Sequence, residues 1–115
     1  MDCVFCKIAK GEIPSEKVYE DDDVMIIKDI DPKADKHYLM IPHNHYKLIS
    51  EMSDGDAAAL MRGIRKLPEL ADKLGLMGGY RLVINQGDDA GQTVFHLHVH
   101  ILGGQTLDFP DLRSK

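Results

Sequence analysis

Three histidines at two-residue spacing, His96, His98 and His100, stand among large apolar residues in the run Val94-Phe95-His96-Leu97-His98-Val99-His100-Ile101-Leu102. This alternation predicts a β-strand, whose successive side chains point to opposite faces. Phe95, Leu97, Val99 and Ile101 are expected to face a core, with the three imidazoles lining the other side. Alternate Cα atoms on a strand lie about 6.5–7 Å apart, so one phosphate-sized group can touch two neighbouring rings. Imidazole titrates near neutrality and can act as nucleophile, hydrogen-bond donor or metal ligand. His98, the central ring, is the candidate nucleophile toward phosphorus, provided that a backbone carbonyl holds its second nitrogen and fixes the tautomer. His100, two residues on, is placed to donate to the same phosphate.

Other residue types around the triad suit the same chemistry. Asn85 and Thr93 offer an amide and a hydroxyl that can steady phosphate oxygens or a leaving group without adding charge. Gly87 and Gly91, in the preceding loop, let backbone approach a ligand closely. The two cysteines of the chain form a C-x-x-C pair, Cys3 and Cys6. A thioredoxin-like role needs a preceding strand, which two residues cannot supply. Metal binding is the better reading, with the remaining ligands elsewhere in the chain.

The elements that must position these groups follow from periodicity. Residues 4–10 suit a short helical turn ending at Gly11. Lys17–Glu20 and Asp23–Asp29 predict two strands around an acidic turn, and His37–Ile41 a third, stopped by Pro42. Ser53-Asp54-Gly55-Asp56 resembles a capping box with Asp in place of the usual Glu. It opens a long helix whose stripe is Leu60, Ile64, Leu67, Ala71 and Leu74, closed by a left-handed Gly75. Pro68 lacks the N–H that would reach the Ile64 carbonyl, so a kink or a split is expected there. Ala57–Met61 is apolar around the whole circumference, which suggests burial on two sides, one against another chain. Arg81–Asn85 is the fourth strand, and the Gly87–Gly91 loop joins it to the histidine strand. The sum is an α+β domain, a five-stranded antiparallel sheet with one main helix and a short N-terminal helix, spanning 1–115.

Composition bounds the function. The chain has 115 residues, 43% hydrophobic and 29% charged, enough for one core. Its net charge of −5, with Lys and Arg scattered, argues against duplex nucleic acid as the main partner. Residues 1–15 hold no long apolar run, so neither a signal peptide nor a membrane span is expected, and a cytoplasmic location follows.

Gly91-Gln92-Thr93-Val94-Phe95-His96-Leu97-His98-Val99-His100-Ile101-Leu102-Gly103-Gly104 resembles the whole motif of the histidine triad (HIT) family. Phe5-Cys6-Lys7-Ile8, Gly11-Glu12-Ile13-Pro14, Asp29-Ile30, Ile41-Pro42, His45 and Arg81-Leu82-Val83-Ile84-Asn85 fall in family order. The likeness covers nearly the full chain and is closest to the small Hint-like branch. It implies the HIT fold, a homodimer with a sheet continuous across two chains, and a covalent nucleotidyl intermediate on His98. It implies a purine nucleotide of the AMP or GMP type as substrate or product, with P–N bond cleavage as the leading reaction. Dinucleoside polyphosphate hydrolysis, nucleotidyl transfer and a non-enzymatic zinc-stabilised binding module are the alternatives. By the same resemblance Asp29 accepts from ribose hydroxyls, Asn85 and Thr93 belong to the phosphate site, Gln92 is a substrate-binding residue, and Val4, Phe5, Ile8 and Ile27 form an apolar slot for the base. Some relatives bind a structural zinc ion, for which the set here is Cys3, Cys6, His45 and His96. His43 is a rival ligand whose family counterpart is often Lys, and His37 is expected to be a structural hydrogen-bonding residue.

Overall fold

The computed structural model describes residues 3–108, Pro110 and Leu112. The expected limits, 1–115, therefore include Met1, Asp2, Phe109, Asp111 and Arg113–Lys115, which lie outside the described residues. Element order is α1 (Val4–Ala9), β1 (Lys17–Glu20), β2 (Val24–Lys28), β3 (Lys36–Pro42), α2 (Asp54–Leu74), β4 (Tyr80–Val83) and β5 (Val99–Gly103). The five strands form one sheet in the order β1-β2-β3-β5-β4, and every neighbouring pair is antiparallel. This is the expected α+β architecture.

Two layers cover the sheet, and strand alternation assigns each residue to one of them. Val24, Ile26, Tyr38, Met40, Val99 and Ile101 point to the α2 side, where they pack with Leu60, Leu67, Ala71 and Leu74. Met25, Ile27, Leu39 and Ile41 point the other way, onto Cys3, Phe5 and Ile8 of the N-terminal segment. Because β2 is covered on both faces, Val24–Ile27 is a continuous buried run rather than an alternating one.

α2 begins with the expected capping box: Ser53 Oγ accepts from the Asp56 N–H, and the Asp56 carboxylate accepts from the Ser53 N–H. It ends at Gly75 in the left-handed conformation, φ 75°. Pro68 does not split it; Asp54–Leu74 is one helix of 21 residues. Tertiary packing overrides the local penalty, since Leu67, Ala71 and Leu74 on either side of the proline are all buried. Gly63 also faces the sheet. A Cβ built there would lie 2.8 Å from Val24 Cγ1 and 3.2 Å from Met40 Sδ, so glycine sets how closely α2 approaches β2 and β3. At the start of the helix Leu60 is buried and Ala59 half-buried, while Ala57, Ala58 and Met61 are exposed in the single chain.

Element bounds differ from expectation by one or two residues at both ends of β2, β3 and β4. β2 ends at Lys28, one residue short of Asp29, and β4 covers Tyr80–Val83, leaving Asn85 just past the strand. β3 runs through Pro42 rather than stopping before it. The largest correction concerns the histidine run. Only Val99–Gly103 is strand, so His96 and His98 lie on the irregular segment that precedes it. Phe95 does not face the core, being 48% exposed, and His96 leaves the polar face for the interior at 1% exposure. The β3–β5 ladder stops at Met40 and Val99. Beyond it, Pro42 has no N–H to continue the pairing, and its carbonyl accepts from His96 Nε2 instead (2.8 Å).

Candidate functional site

His98 and His100 sit on the α1 side of the sheet, in a cavity of about 460 Å³ that lies within the usual range for small ligands. Val4, Phe5, Ile8, Ile27, Asp29, Asn85, Thr93, His98 and His100 all line it. Nine of the residues singled out from sequence are thus brought together from α1, β2, β5 and two connecting segments, β2–β3 and β4–β5. Ile13, Leu39 and Val94 complete the apolar wall. Leu39 was legible only as core, because nothing in a strand pattern tells a core contact from a cavity wall. A larger depression, about 790 Å³, lies at the far end between the C-terminus of α2, β4 and residues 104–107. It shares no residue with the triad.

The nucleophile candidate is held as its chemistry requires. His98 Nδ1 lies 2.8 Å from the His96 carbonyl, which accepts only if Nδ1 carries the proton. The lone pair is then on Nε2, which has no partner among the described residues. The Phe5 ring meets His98 edge-on, with centroids 5.1 Å apart, and limits its rotation. The segment 91–98 that carries these groups is shaped by Gly87 and Gly91, both at positive φ, around a short helical turn at Asp88–Ala90.

His100 is governed by His37. The Lys33 N–H donates to His37 Nδ1 (3.0 Å), so the proton of neutral His37 is on Nε2. That nitrogen lies 2.9 Å from His100 Nδ1 and 3.4 Å from Asp29 Oδ2. His100 Nδ1 therefore accepts, and its own proton is on Nε2, ready to be donated. Burial, reinforced by His98 and His37, pushes the His100 pKa down to about 4. Burial likewise lowers that of His37. Both rings are neutral near pH 7. Asp29, His37 and His100 are close enough to resemble a metal set, but the proton on His37 Nε2 occupies the position a metal would need. His37 thus has the hydrogen-bonding role expected of it, and its partner is a triad ring, which sequence spacing could not reveal.

Gln92 is the one substrate-binding candidate that the fold keeps out of the cavity. It is buried, with Oε1 accepting from the Gly87 N–H (2.8 Å) and Nε2 donating to the Lys47 and Val94 carbonyls (3.0 and 3.4 Å). These bonds use its amide to shape the loop.

Behind the cavity, Cys3, Cys6, His45 and His96 converge, with all four ligand atoms within 4.8 Å of one another. Cys3 Sγ and Cys6 Sγ lie 3.4 and 3.6 Å from His96 Nδ1, Cys6 Sγ lies 3.4 Å from His45 Nδ1, and the two Nδ1 atoms are 3.1 Å apart. These are the edge lengths of a small tetrahedron, as expected for metal–sulfur bonds of about 2.3 Å and metal–nitrogen bonds of about 2.0–2.1 Å. The donor set fits a metal in a second respect. His96 Nε2 donates to Pro42, which leaves the Nδ1 lone pair facing the sulfurs, the arrangement typical of a ligating histidine. His43 takes no part: its Nε2 lies 2.8 Å from the Asp21 carbonyl.

Comparison with known proteins agrees with this geometry. The family model described as HIT domain matches residues 10–107. Protein HitA of Neisseria gonorrhoeae is 44% identical over 101 residues, 88% of this chain and 94% of that one. A HIT family hydrolase from Legionella pneumophila superposes with a TM-score of 0.87 at 42% identity, covering 95% of this chain and 98% of the other. A Zn-bound histidine triad family protein from Mycobacterium smegmatis gives 0.81 at 33% identity, covering 97% and 81%. With the triad, the cavity and the sheet order already in place, these matches identify the chain as a member of the HIT domain family.

Proposed function

We propose that the protein is a purine nucleoside phosphoramidase that cleaves the P–N bond through a nucleotidyl intermediate on His98. The observation that carries this reading is the His98 tautomer: Nδ1 is tied to the His96 carbonyl, so the lone pair is on Nε2 of a ring that lines the cavity. Val4, Phe5, Ile8 and Ile27 enclose the base and Asp29 accepts from the ribose. Asn85, Thr93 and His100 Nε2–H hold the phosphate oxygens. His98 Nε2 attacks phosphorus, and the amine departs with a proton supplied from the Thr93 and His100 side, because an unprotonated amine is a poor leaving group. Water then attacks the nucleotidyl-histidine, releasing nucleoside monophosphate and restoring the ring. Neutral donors suit this task, since a permanent cation would hold the product phosphate.

The cluster behind the cavity is proposed to hold one structural zinc ion through Cys3, Cys6, His45 and His96. A closed set of two thiolates and two imidazoles leaves no open position for substrate, so the ion's contribution is to fasten the N-terminal segment to residue 96. Free thiols in such a set suit a reducing compartment, in keeping with a cytoplasmic protein.

The test is to incubate purified protein with an adenosine phosphoramidate and, separately, with diadenosine polyphosphates, quenching in acid to trap a nucleotidyl-histidine. Faster turnover of the phosphoramidate with a labelled His98 peptide is expected. Preference for the dinucleotides would make a different HIT activity the right one, and binding without turnover of either would make the chain a nucleotide-binding module. Metal analysis of protein purified without chelators is expected to give close to one zinc per chain, and well under half an equivalent would refute the site.

A further inference from the structure

We propose that the Cys3–Cys6 pair makes nucleotide binding sensitive to peroxide, because the thiolates that hold the metal also hold the wall of the base slot. This inference rests on the zinc and nucleotide readings above and adds to them a function for the cysteines.

The motive is structural economy around one short segment. Cys3 and Cys6 flank Val4 and Phe5, both of which line the cavity, and Ile8 follows one turn later. Phe5 touches both chemistries: its ring stands 5.8 Å from the His96 ring and 5.1 Å from that of His98. α1 has only six residues, too few to be stable alone, so it depends on its attachments. Three of these are visible. Phe5 and Ile8 pack onto Met25, Ile27, Leu39 and Ile41, the Cys6 N–H donates to Cys3 Sγ (3.4 Å), and the two sulfurs meet His45 and His96.

Cys6 is half-buried whereas Cys3 is buried, so an oxidant reaches Cys6 first. The Cys6 thiolate attacks one oxygen of hydrogen peroxide, and with one proton water leaves and a sulfenic acid remains. The Cys3 thiolate then displaces the hydroxyl, which departs as a second water with a second proton. Two thiolates, one peroxide and two protons thus give one disulfide and two waters; the sulfurs lose two electrons, the peroxide gains them, and zinc is released. The sulfurs, here within 4.8 Å, must close to about 2.05 Å. They cannot do so and stay at the corners of the tetrahedron, so Val4 and Phe5 between them shift and the slot loses its wall. Losing the burial of one or two apolar side chains weakens a ligand by about tenfold or more.

The experiment uses the full chain as isolated. Zinc release is followed with a chromogenic chelator, disulfide formation by the 2 Da mass loss expected for two departing hydrogens, and AMP affinity by calorimetry, before and after hydrogen peroxide. One zinc released per disulfide, a Kd for AMP raised about tenfold, and recovery with dithiothreitol plus zinc are expected. Recovery by a dithiol excludes methionine oxidation as the cause, because a sulfoxide is not reduced by it under these conditions. A disulfide that forms while AMP affinity stays unchanged overturns the switch alone, as does a peroxide treatment that leaves zinc and thiols in place. A chain isolated without zinc, or without affinity for AMP, overturns the underlying reading and the switch with it. The Cys3→Ser, Cys6→Ser double variant should show no further loss of AMP affinity on peroxide treatment, and a loss of the wild-type size there would overturn the proposal.

Discussion

His98, His96 and His100 share a spacing and a residue type, yet their surroundings give them three different tasks. His98 keeps a lone pair toward the cavity, His96 turns inward to the sulfurs, and His100 is bound through Nδ1 to His37. His98→Ala is therefore expected to lose more than nine-tenths of turnover while AMP binding and circular dichroism stay near wild type, since it removes a partly exposed ring and no core volume. Retention of even a tenth of the steady-state rate would count against covalent catalysis. His98→Asn should be equally inactive, because an amide cannot attack phosphorus. His100 has a pH signature of its own. Its pKa in the fold, about 4, is below that of the unfolded chain, so the unfolded state binds more protons between pH 6.5 and 4. Stability from this group is complete above pH 6.5 and is lost as pH falls toward 4. The melting temperature of wild type should fall more steeply across that window than that of His100→Gln, compared at matched zinc content; parallel curves would contradict the burial argument.

At the scale of elements, the contact between α2 and the sheet turns on Gly63. Alanine there gains about 1 kcal/mol of helix propensity, but its methyl would press into Val24 and Met40, both fully buried. Overpacking of this kind costs about 1–3 kcal/mol, so a net loss of about 1 kcal/mol is expected for Gly63→Ala in urea unfolding. A stabilised variant would show that the helix can lift without harm. The N-terminal segment and the segment 91–98 are the other pair of elements that matter, and they meet at the Cys/His cluster. Cys3→Ala with Cys6→Ala should remove the metal and lower the melting temperature by several degrees, yet leave measurable turnover, because none of the proposed reacting groups is a ligand. Complete inactivity with an intact fold would assign the metal a direct part in the reaction.

For the whole molecule the open question is what lies beside β4. The sheet has two edges. β1 is interrupted by a register shift and carries the Lys17–Glu20 ion pair, features that discourage strand addition. β4 instead presents Leu82, 37% exposed, while Ala57, Ala58 and Met61 are exposed at the start of α2. These exposed apolar residues are the ones expected to be covered in the homodimer that the family resemblance implies. Light scattering should return about twice the chain mass of 12.9 kDa for the wild type, and Ala58→Glu with Ala59→Glu should shift it toward monomer or aggregate. A wild-type mass of one chain would sink the dimer.

Local patterns were enough for much of this protein. The capping box at Ser53, the left-handed stop at Gly75, the five strands and the pairing of Cys3 with Cys6 are set by interactions a few residues long, and such interactions can be seen in sequence. So could the carbonyl on His98 Nδ1, because a neutral imidazole on a polar face needs one nitrogen held to fix its tautomer. Four things depended on segments far apart in the chain. The histidine strand begins only at Val99, since Pro42 on the neighbouring strand cannot extend the ladder and His96 is drawn inward to Cys3 and Cys6, about ninety residues away. Pro68 is carried within an unbroken helix because the burial around it outweighs one missing hydrogen bond. Gln92 turns from the ligand to the loop, and His37 becomes the partner of His100, since a buried polar group must find its hydrogen bonds wherever the fold places them.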